Sequence, residues 1–264
     1  MLRPRLPLGE YYQLLQRAGL LAGGAVGADL TRLVEAVTCD SRSAVPGSLF
    51  LCKGAAFKEE YLAQALGQGA FAYVSEVPYK NQPAPCIRVT DIRSAMGLLA
   101  DAAWGHPSGE VAVIGITGTK GKTTTAYFLK SILDCWREKQ GLHPVGLLST
   151  IVTDDGAQRR PAVLTTPEPL ELQRHLAHAV RSGMEYLVME ASSQALKYHR
   201  TLCADFAAAV FLNIGADHIS PIEHPDFEDY FTSKLRIFRQ GAVNCVNLDC
   251  DHAGRVLAAA RAAG

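Results

Sequence analysis

A glycine-rich segment of the chain has residue types and spacing that suit phosphate binding. Its glycines let backbone N–H groups turn toward phosphate oxygens, and a helix beginning directly after it would add partial positive charge. The Lys122 ammonium would reach the β and γ phosphates of a nucleotide, and the Thr123 hydroxyl would ligate Mg²⁺. We therefore predict that ATP and Mg²⁺ bind at Gly118, Thr119, Lys120, Gly121, Lys122, Thr123 and Thr124. A strict P-loop has glycine where this chain has Ile116, so the pattern is met in part.

Three further polar residues follow apolar stretches in the same part of the chain. Glu190 comes directly after Tyr186 to Met189, and a carboxylate at a strand end is a common ligand of phosphate-bound Mg²⁺. His218 follows a second strand and could be a metal ligand, a hydrogen-bond partner of phosphate or a structural histidine. Lys234 lies on a helix predicted from Phe227 to Phe238, where spacing alone favours a solvated surface position.

The elements that would position these residues alternate between strands and helices. The continuous apolar run 111–116 predicts a parallel strand buried on both faces, and similar runs occur at 186–189, 207–212 and 242–246. A helix is predicted from Thr123 to about Trp136, with one apolar face made of Ala126, Leu129, Ile132 and Leu133. This alternation predicts an α/β fold with a doubly wound, mostly parallel sheet, whose ligands bind outside the carboxyl ends of the strands.

A smaller α/β unit precedes this sheet. Apolar runs at 48–52 and 71–75 predict strands, and helical spacing recurs at 11–21, 59–66 and 92–104. The sequence Gly105-His106-Pro107 ends the last of these helices and marks a boundary. We therefore predict two domains, comprising residues 1–107 and 108–264.

Composition narrows the possible partners. The 264 residues contain 26 Lys and Arg and 26 Asp and Glu, so a net charge of zero gives no footprint for nucleic acid or an anionic membrane. No run approaches the roughly 18 apolar residues of a membrane span. The seven cysteines are scattered in a pattern that fits no familiar zinc motif. We expect reduced thiols in a cytoplasmic monomer without nucleic acid or membrane partners.

Several segments together resemble the Mur ligases, most closely those of the MurE type. The segment 117–124 is similar to the family's ATP loop, which usually carries Asn at the place of Lys120, and Leu164-Thr165-Thr166-Pro167 is similar to its nucleotide-sugar-peptide segment. Residues 189–196 resemble a Glu-x-Ser-Ser-His stretch with Gln194 in the place of His. Asn213 with Asp217-His218 is similar to an Asn-x-x-x-Asp-His segment in which Ala216 replaces the usual Arg. Asp40-Ser41-Arg42 looks like the entry to the uridine-binding domain, although the Asp-Gly-His expected soon after Gly54 is absent.

The resemblance implies roles that spacing could not give. Glu190 and His218 would belong to the magnesium shell with Thr123, and Lys234 would match a carbamylated lysine that ligates a second Mg²⁺. Lys122, Lys234 and His218 would form the catalytic group. The implied contacts with a UDP-N-acetylmuramoyl dipeptide come from Ser41, Thr165, Thr166, Ser192 and Arg200. The implied activity is ATP-dependent addition of a diamino acid, meso-diaminopimelate or L-lysine, to UDP-N-acetylmuramoyl-L-Ala-D-Glu through an acyl phosphate.

Other functions are compatible with parts of this pattern. Mur ligases have three domains and greater length, so we expect a partial form that lacks the domain selecting the amino acid and does not turn over. A non-catalytic fragment that binds a uridine nucleotide and ATP is one alternative. A P-loop kinase or GTPase is another, although Ile116 departs from its loop. Within the ligase class, a folylpolyglutamate-synthase-like enzyme is the nearest alternative. Asp40-Ser41-Arg42 and the domain around it argue against this alternative.

Overall fold

The chain divides into two α/β units, Met1–Gly105 and His106–Gly264. A computed structural model describes residues 5–23, 27–54, 57–217, 219–220 and 223–264. Of the helices in this described part, none combines the length and the apolar character needed to cross a membrane.

The first unit contains a four-stranded sheet and three α-helices. Its strands are all parallel and lie in the order β1-β2-β3-β4. Every residue of β2 and β3 is buried, as expected for central parallel strands. The elements are α1 Leu8–Arg17, β1 Ala36–Thr38, β2 Ser48–Leu51, α2 Glu59–Gly67, β3 Ala72–Ser75, β4 Cys86–Arg88 and α3 Ile92–Trp104, with a 3₁₀ turn at Ser41–Ser43.

The second unit contains a seven-stranded mixed sheet in the order β11-β10-β5-β9-β6-β7-β8. The five strands from β11 to β6 are parallel, and β7 and β8 continue the sheet as an antiparallel hairpin. The elements are β5 Ala112–Thr117, α4 Lys122–Glu138, β6 Gly146–Leu148, β7 Val152–Asp154, β8 Arg159–Pro161, α5 Pro169–Arg181, β9 Tyr186–Glu190, α6 Ser193–Lys197, β10 Phe206–Phe211, α7 Phe227–Leu235, β11 Asn244–Val246 and α8 Ala253–Ala263, with 3₁₀ turns at Pro107–Gly109 and Arg236–Gln240.

Hydrophobic clusters cover both faces of the central strand β5. Val113 belongs to the larger cluster, and its neighbour Ile114 packs against a second cluster that contains Ile116. Successive side chains of a strand point to opposite faces, so each cluster covers one face of the sheet. Gly115 leaves room for a close aromatic neighbour, because a Cβ there would lie 2.8 Å from the ring of Phe206. The strand is therefore buried as its continuous apolar sequence predicts.

The predicted elements of the second unit are present, with some differences at their faces and ends. Helix α4 packs Ala126, Leu129 and Leu133 against the second cluster. The prediction for Ile132 is wrong, because its side chain is 66% exposed. This residue lies about 100° around the helix from its neighbour Leu133 and turns away from the sheet. The helix predicted from Phe227 to Phe238 is α-helical only to Leu235 and continues as a 3₁₀ turn.

Candidate functional site

The carboxyl ends of four adjacent parallel strands bring together polar residues from distant parts of the sequence. In sheet order these strands are β10, β5, β9 and β6. Asn213 follows β10, the glycine-rich loop follows β5, Glu190 ends β9, and Thr150 follows β6. Ligands of doubly wound sheets bind at this edge, where strand order diverges around a central strand. These polar residues therefore lie together at one edge of the sheet.

Asn213 holds the backbone of the phosphate loop. Its side-chain Oδ1 accepts hydrogen bonds from the amides of Thr119 and Lys120, each at 3.0 Å. Its Nδ2 donates to the carbonyl oxygen of Lys120, also at 3.0 Å. The backbone of Gly118 passes close to Leu212, because a Cβ at position 118 would lie 3.0 Å from the Leu212 Cβ. From the sequence, Asn213 was identified only as part of a motif. Its hydrogen bonds show that it also fixes the backbone conformation of the loop.

The loop leads directly into helix α4. Gly121 is the residue before the helix and has φ of 82°, a left-handed conformation that favours glycine. Helix α4 begins at Lys122, so its first amides have no carbonyl partner within the helix. Those amides and the positive end of the helix form a general anion-binding arrangement.

Two lysine ammonium groups contact the same loop carbonyl. The Nζ atoms of Lys122 and Lys234 each donate to the carbonyl oxygen of Gly118 at 2.9 Å, and Lys122 also donates to Thr119 O at 3.2 Å. Lys234 is 1% exposed and lies 4.6 Å from the centre of the Tyr230 ring. The solvated surface position that spacing alone favoured for Lys234 is therefore wrong, because helix α7 turns this side chain into the sheet edge.

Burial changes the protonation of both lysines. Burial lowers the pKa of Lys122, while the charges of Glu190 and Asp217 oppose this shift. The pKa of Lys234 falls to about 7, mainly through burial and then through the charge of Lys122, with Asp217 opposing. A buried ammonium is costly, and a second one beside it raises that cost. Neutral amine is therefore substantially populated at Lys234 near neutral pH.

Glu190 gathers oxygen atoms next to the start of helix α4. Its Oε1 accepts from the Thr123 hydroxyl at 2.9 Å and from the amide of Thr150 at 2.8 Å, and its Oε2 accepts from the Thr150 hydroxyl at 3.3 Å. Carboxylate and hydroxyl oxygens are the ligands that Mg²⁺ takes beside phosphate groups. Glu190 and Thr123 thus fit a magnesium ion at the loop. The predicted ligand His218 lies outside the described residues.

The four residues predicted to contact a muramoyl peptide lie next to Glu190. The Thr166 hydroxyl donates to the carbonyl oxygen of Glu190 at 2.8 Å and accepts from the amide of Ser192 at 3.0 Å. Arg200 donates to Thr166 O at 3.4 Å, and the hydroxyl oxygens of Thr165 and Thr150 lie 3.2 Å apart, within hydrogen-bond distance. Thr166 is buried, so its hydroxyl contacts protein groups in this arrangement. The structure therefore brings all four residues to the same sheet edge as the loop.

Ser41 belongs to the first unit, where it borders a separate cavity. Its hydroxyl donates to Gln64 Oε1 at 2.7 Å, and the preceding Asp40 accepts from the amide of Arg42 at 3.0 Å. The cavity has a volume of about 530 Å³ and is lined by Cys39, Asp40, Ser41, Arg42, Tyr61 and Gln64. This size and polar lining suit a small ligand.

The fold is a doubly wound α/β sheet with a glycine-rich loop at its carboxyl edge, and comparison with known proteins gives its family. The family model described as the Mur ligase middle domain matches residues 116–264, which is more than half of the chain. The chain belongs to the Mur ligase family.

Curated relatives agree with this assignment. The UDP-N-acetylmuramoyl-L-alanyl-D-glutamate–L-lysine ligase of Enterococcus faecalis is 46% identical over 222 residues, which are 84% of this chain and 43% of that protein. The UDP-N-acetylmuramyl-tripeptide synthetase of Lactobacillus delbrueckii subsp. bulgaricus is 40% identical over 251 residues, which are 94% of this chain and 48% of that protein. The chain thus spans about half the length of these relatives.

A solved UDP-N-acetylmuramoyl-L-alanyl-D-glutamate–2,6-diaminopimelate ligase has the same fold. Its TM-score is 0.78 at 23% identity, and the match covers 98% of this chain and 50% of that one. The predicted fold class is confirmed by this similarity and by the described sheet order.

Proposed function

We propose that this chain binds ATP with Mg²⁺ at residues 118–124 and serves ATP-dependent ligation of an amino acid to UDP-N-acetylmuramoyl-L-Ala-D-Glu. The observation that carries the proposal is the convergence of two lysines and a threonine–carboxylate pair on the glycine-rich loop. The names of the relatives support the same reaction class. Those names favour L-lysine over meso-diaminopimelate as the added amino acid. A cytoplasmic, monomeric protein is part of the same proposal.

The proposed reaction brings two anions together. The D-Glu side-chain carboxylate of the precursor attacks the γ-phosphorus, ADP leaves, and an acyl phosphate forms. The amine of the incoming amino acid then attacks the acyl carbon, and inorganic phosphate leaves. Catalysis of such a step consists mainly of charge neutralisation and positioning. Lys122 places its ammonium group at the loop carbonyls, from where it would contact the transferred phosphate.

Magnesium would neutralise further phosphate charge, and the chain offers oxygen ligands for it. Thr123 and Glu190 would hold the ion next to the loop, with His218 as the further proposed ligand. The Glu190 carboxylate is fixed by Thr150, so it presents its oxygens in one orientation.

Carbamylation of Lys234 is the second part of the metal proposal. A neutral lysine amine attacks CO₂, a C–N bond forms, one proton is released, and the product is a carbamate anion. The lowered pKa of Lys234, about 7, supports this because only the neutral amine reacts. The change would replace a buried cation by a metal-binding anion. A carbamate ¹³C signal from ¹³C-bicarbonate that is missing in Lys234→Met supports the idea, and equal spectra would overturn it.

Each unit has its own proposed ligand contacts. We assign the uridine diphosphate end to residues 1–107 around Ser41, and ATP to residues 108–264. Thr165, Thr166, Ser192 and Arg200 would hold the muramoyl peptide near Glu190, directly or through one another. Their supporting observation is their shared position at the sheet edge.

Calorimetry with three ligand sets tests the proposal. Titration with ATP and Mg²⁺ should show binding that Lys122→Ala weakens at least about tenfold, as expected for loss of a charged phosphate contact. UDP-N-acetylmuramoyl-L-Ala-D-Glu should also bind. ATP binding alone would favour a P-loop kinase or GTPase, and absence of ATP binding would contradict the proposal. Both ligands binding without ADP release in the presence of L-lysine would identify a binding fragment of the ligase.

A further inference from the structure

A second cluster of chemistry-bearing side chains joins the β7–β8 hairpin to helix α5. Asp155 lies in the turn between the two strands, and His175 and His178 lie on the helix at a spacing of three residues. That spacing puts both imidazoles on one face of the helix. Asp155 Oδ2 lies 2.6 Å from His175 Nδ1 and 2.9 Å from His178 Nδ1.

The three groups converge on one small volume. One ligating atom from each residue can be chosen so that all three lie within 4.8 Å of one another. Asp155 and His175 are buried, while His178 is 23% exposed and opens the cluster to solvent on one side. Two imidazole nitrogens and one carboxylate oxygen form a donor set that Zn²⁺ and other divalent transition metals take, with an open position for water.

The carboxylate is already oriented for this purpose. Asp155 Oδ1 accepts from the amides of Ala157 at 3.1 Å and Gln158 at 2.9 Å. Its Oδ2 faces the two histidines and also accepts from the Gln158 side-chain Nε2 at 3.2 Å. Burial opposes ionisation of Asp155, but hydrogen bonds from His175, His178 and Gln158 outweigh it and hold its pKa below the usual range. Metal ligands that are oriented by surrounding hydrogen bonds bind with higher affinity.

We propose that Asp155, His175 and His178 bind one divalent transition-metal cation, such as Zn²⁺, which anchors the β7–β8 hairpin to helix α5. In the bound form Nδ1 of each imidazole is the ligand, which requires that the ring N–H reside on Nε2. Ligand atoms around tetrahedral zinc are separated by roughly 3.4 Å, given bonds of about 2.1 Å. The Asp155 oxygen lies 2.6 Å and 2.9 Å from the two Nδ1 atoms, so it would retreat from them by less than about 1 Å.

This cation site is separate from the proposed magnesium site. It shares no residue with the loop, Glu190 or Lys234. Its role is structural, because it fixes both ends of the connection 162–168, which runs from strand β8 to helix α5 and carries Thr165 and Thr166. Metal binding should therefore protect this connection from proteolysis.

The test uses the full chain after dialysis against a chelator. Titration with Zn²⁺ in a calorimeter should give one site per chain, weakened at least about tenfold in His178→Ala and in Asp155→Asn. His143→Ala is the matched control, because His143 is exposed and does not belong to the three-residue cluster. Its affinity should equal that of the unchanged chain. With Co²⁺, visible absorption without a thiolate charge-transfer band should appear, which separates this site from the free cysteines.

Equal Zn²⁺ affinity in the unchanged chain and both cluster variants would overturn the proposal. So would a stoichiometry below one, or a thiolate band in the Co²⁺ spectrum that His178→Ala leaves unchanged. Circular dichroism verifies that each variant is folded. His178→Gln replaces His178→Ala if the alanine variant does not fold, because it keeps a polar side chain of similar size. ATP affinity should remain the same in His178→Ala, so the outcome is independent of the proposed nucleotide site.

Discussion

At the residue scale, two lysine side chains meet at the carbonyl oxygen of Gly118. One carbonyl oxygen accepts hydrogen bonds from the ammonium groups of Lys122 and Lys234. Such an arrangement is tolerable while negative charge is nearby, and Glu190 and Asp217 provide part of it. Bound phosphate would provide more. We therefore expect a bound phosphate group to reduce the repulsion between the two lysines.

The lowered pKa of Lys234 predicts a pH dependence of stability. In the unfolded chain this lysine keeps its ordinary pKa of 10.5, and in the folded chain the pKa is about 7. Between these values the unfolded state binds a proton that the folded state does not, so the free energy of unfolding rises with pH. Lys234→Met should reduce this rise, measured by urea unfolding at several pH values across the window. The exposed Lys139→Met should keep it, and an unchanged slope in Lys234→Met would contradict the prediction.

Two glycines with positive φ allow a matched comparison. Gly121 in the loop has φ of 82° and Gly141 in the turn after helix α4 has φ of 66°, and neither would place a Cβ against a close neighbour. Each alanine substitution should therefore cost about 1 kcal/mol of stability through backbone strain alone. Only Gly121→Ala should weaken ATP binding, since it displaces amides at the helix start. Calorimetry and urea unfolding separate the two effects, and equal ATP affinities would refute this role of Gly121.

At the element scale, helix α7 connects the phosphate loop to helix α6. Tyr230 donates to the Thr119 hydroxyl at 3.1 Å. Just before the helix, the buried His224 contacts Asp229 Oδ2 at 2.6 Å and Ser193 Oγ at 3.0 Å, using both ring nitrogens. Its ring also packs edge-on against Tyr230. One histidine thus joins helix α7 to helix α6.

Loss of His224 should therefore loosen the loop as well as the helix pair. His224→Ala leaves a cavity and removes a hydrogen-bond partner from Ser193 and Asp229, at an expected cost of about 3 kcal/mol. Urea unfolding measures this cost, and ATP affinity should fall with it because Tyr230 loses its packing partner. Thr232→Ala on the exposed side of the same helix is the control and should change both values little. Unchanged affinity in a destabilised His224→Ala would show that helix α7 does not govern the loop.

The elements that were predicted from the sequence are those with an uninterrupted apolar pattern. Strands β5 and β9 are buried or half-buried along their length, and β10 exposes Ala207 alone among its residues. Their apolar runs therefore predict them within one or two residues. The hairpin strand β8 was not predicted, because Arg159–Pro161 is fully exposed and owes its conformation to pairing with β7. Helix α5 was not predicted either. It buries Gln173 and His175 among its apolar residues, and these polar residues obscure the helical pattern.

The candidate site likewise contains residues that were predicted from the sequence and residues that were not. The loop and Glu190 follow from motif and strand end, because the carboxyl edge of a parallel sheet is predictable from the order of elements. Lys234 followed only from resemblance, since its burial depends on contact with Gly118, which is distant in sequence. Thr150 was not identified at all. It follows a short strand and carries no motif, and its role arises from the pairing of β6 with β9.

At the scale of the whole molecule, each unit has its own hydrophobic clusters. Those of the second unit lie entirely within residues 111–260. We therefore expect residues 106–264, expressed alone, to fold and to bind ATP with an affinity within about threefold of the full chain, because the ATP contacts are local. The UDP-linked precursor should bind the isolated unit more weakly, since Ser41 is absent. Calorimetry on both chains tests this, and loss of ATP binding would show that the first unit contributes to the loop.

The hydrogen bonds of Asn213 have a consequence for the rate of nucleotide capture. Because Thr119 and Lys120 are already held in place, the loop does not have to find its shape after a nucleotide arrives. Association should therefore follow a single exponential, with a rate proportional to nucleotide concentration and no slow later phase. Differences in affinity among loop variants would then arise mainly from how long the nucleotide stays bound.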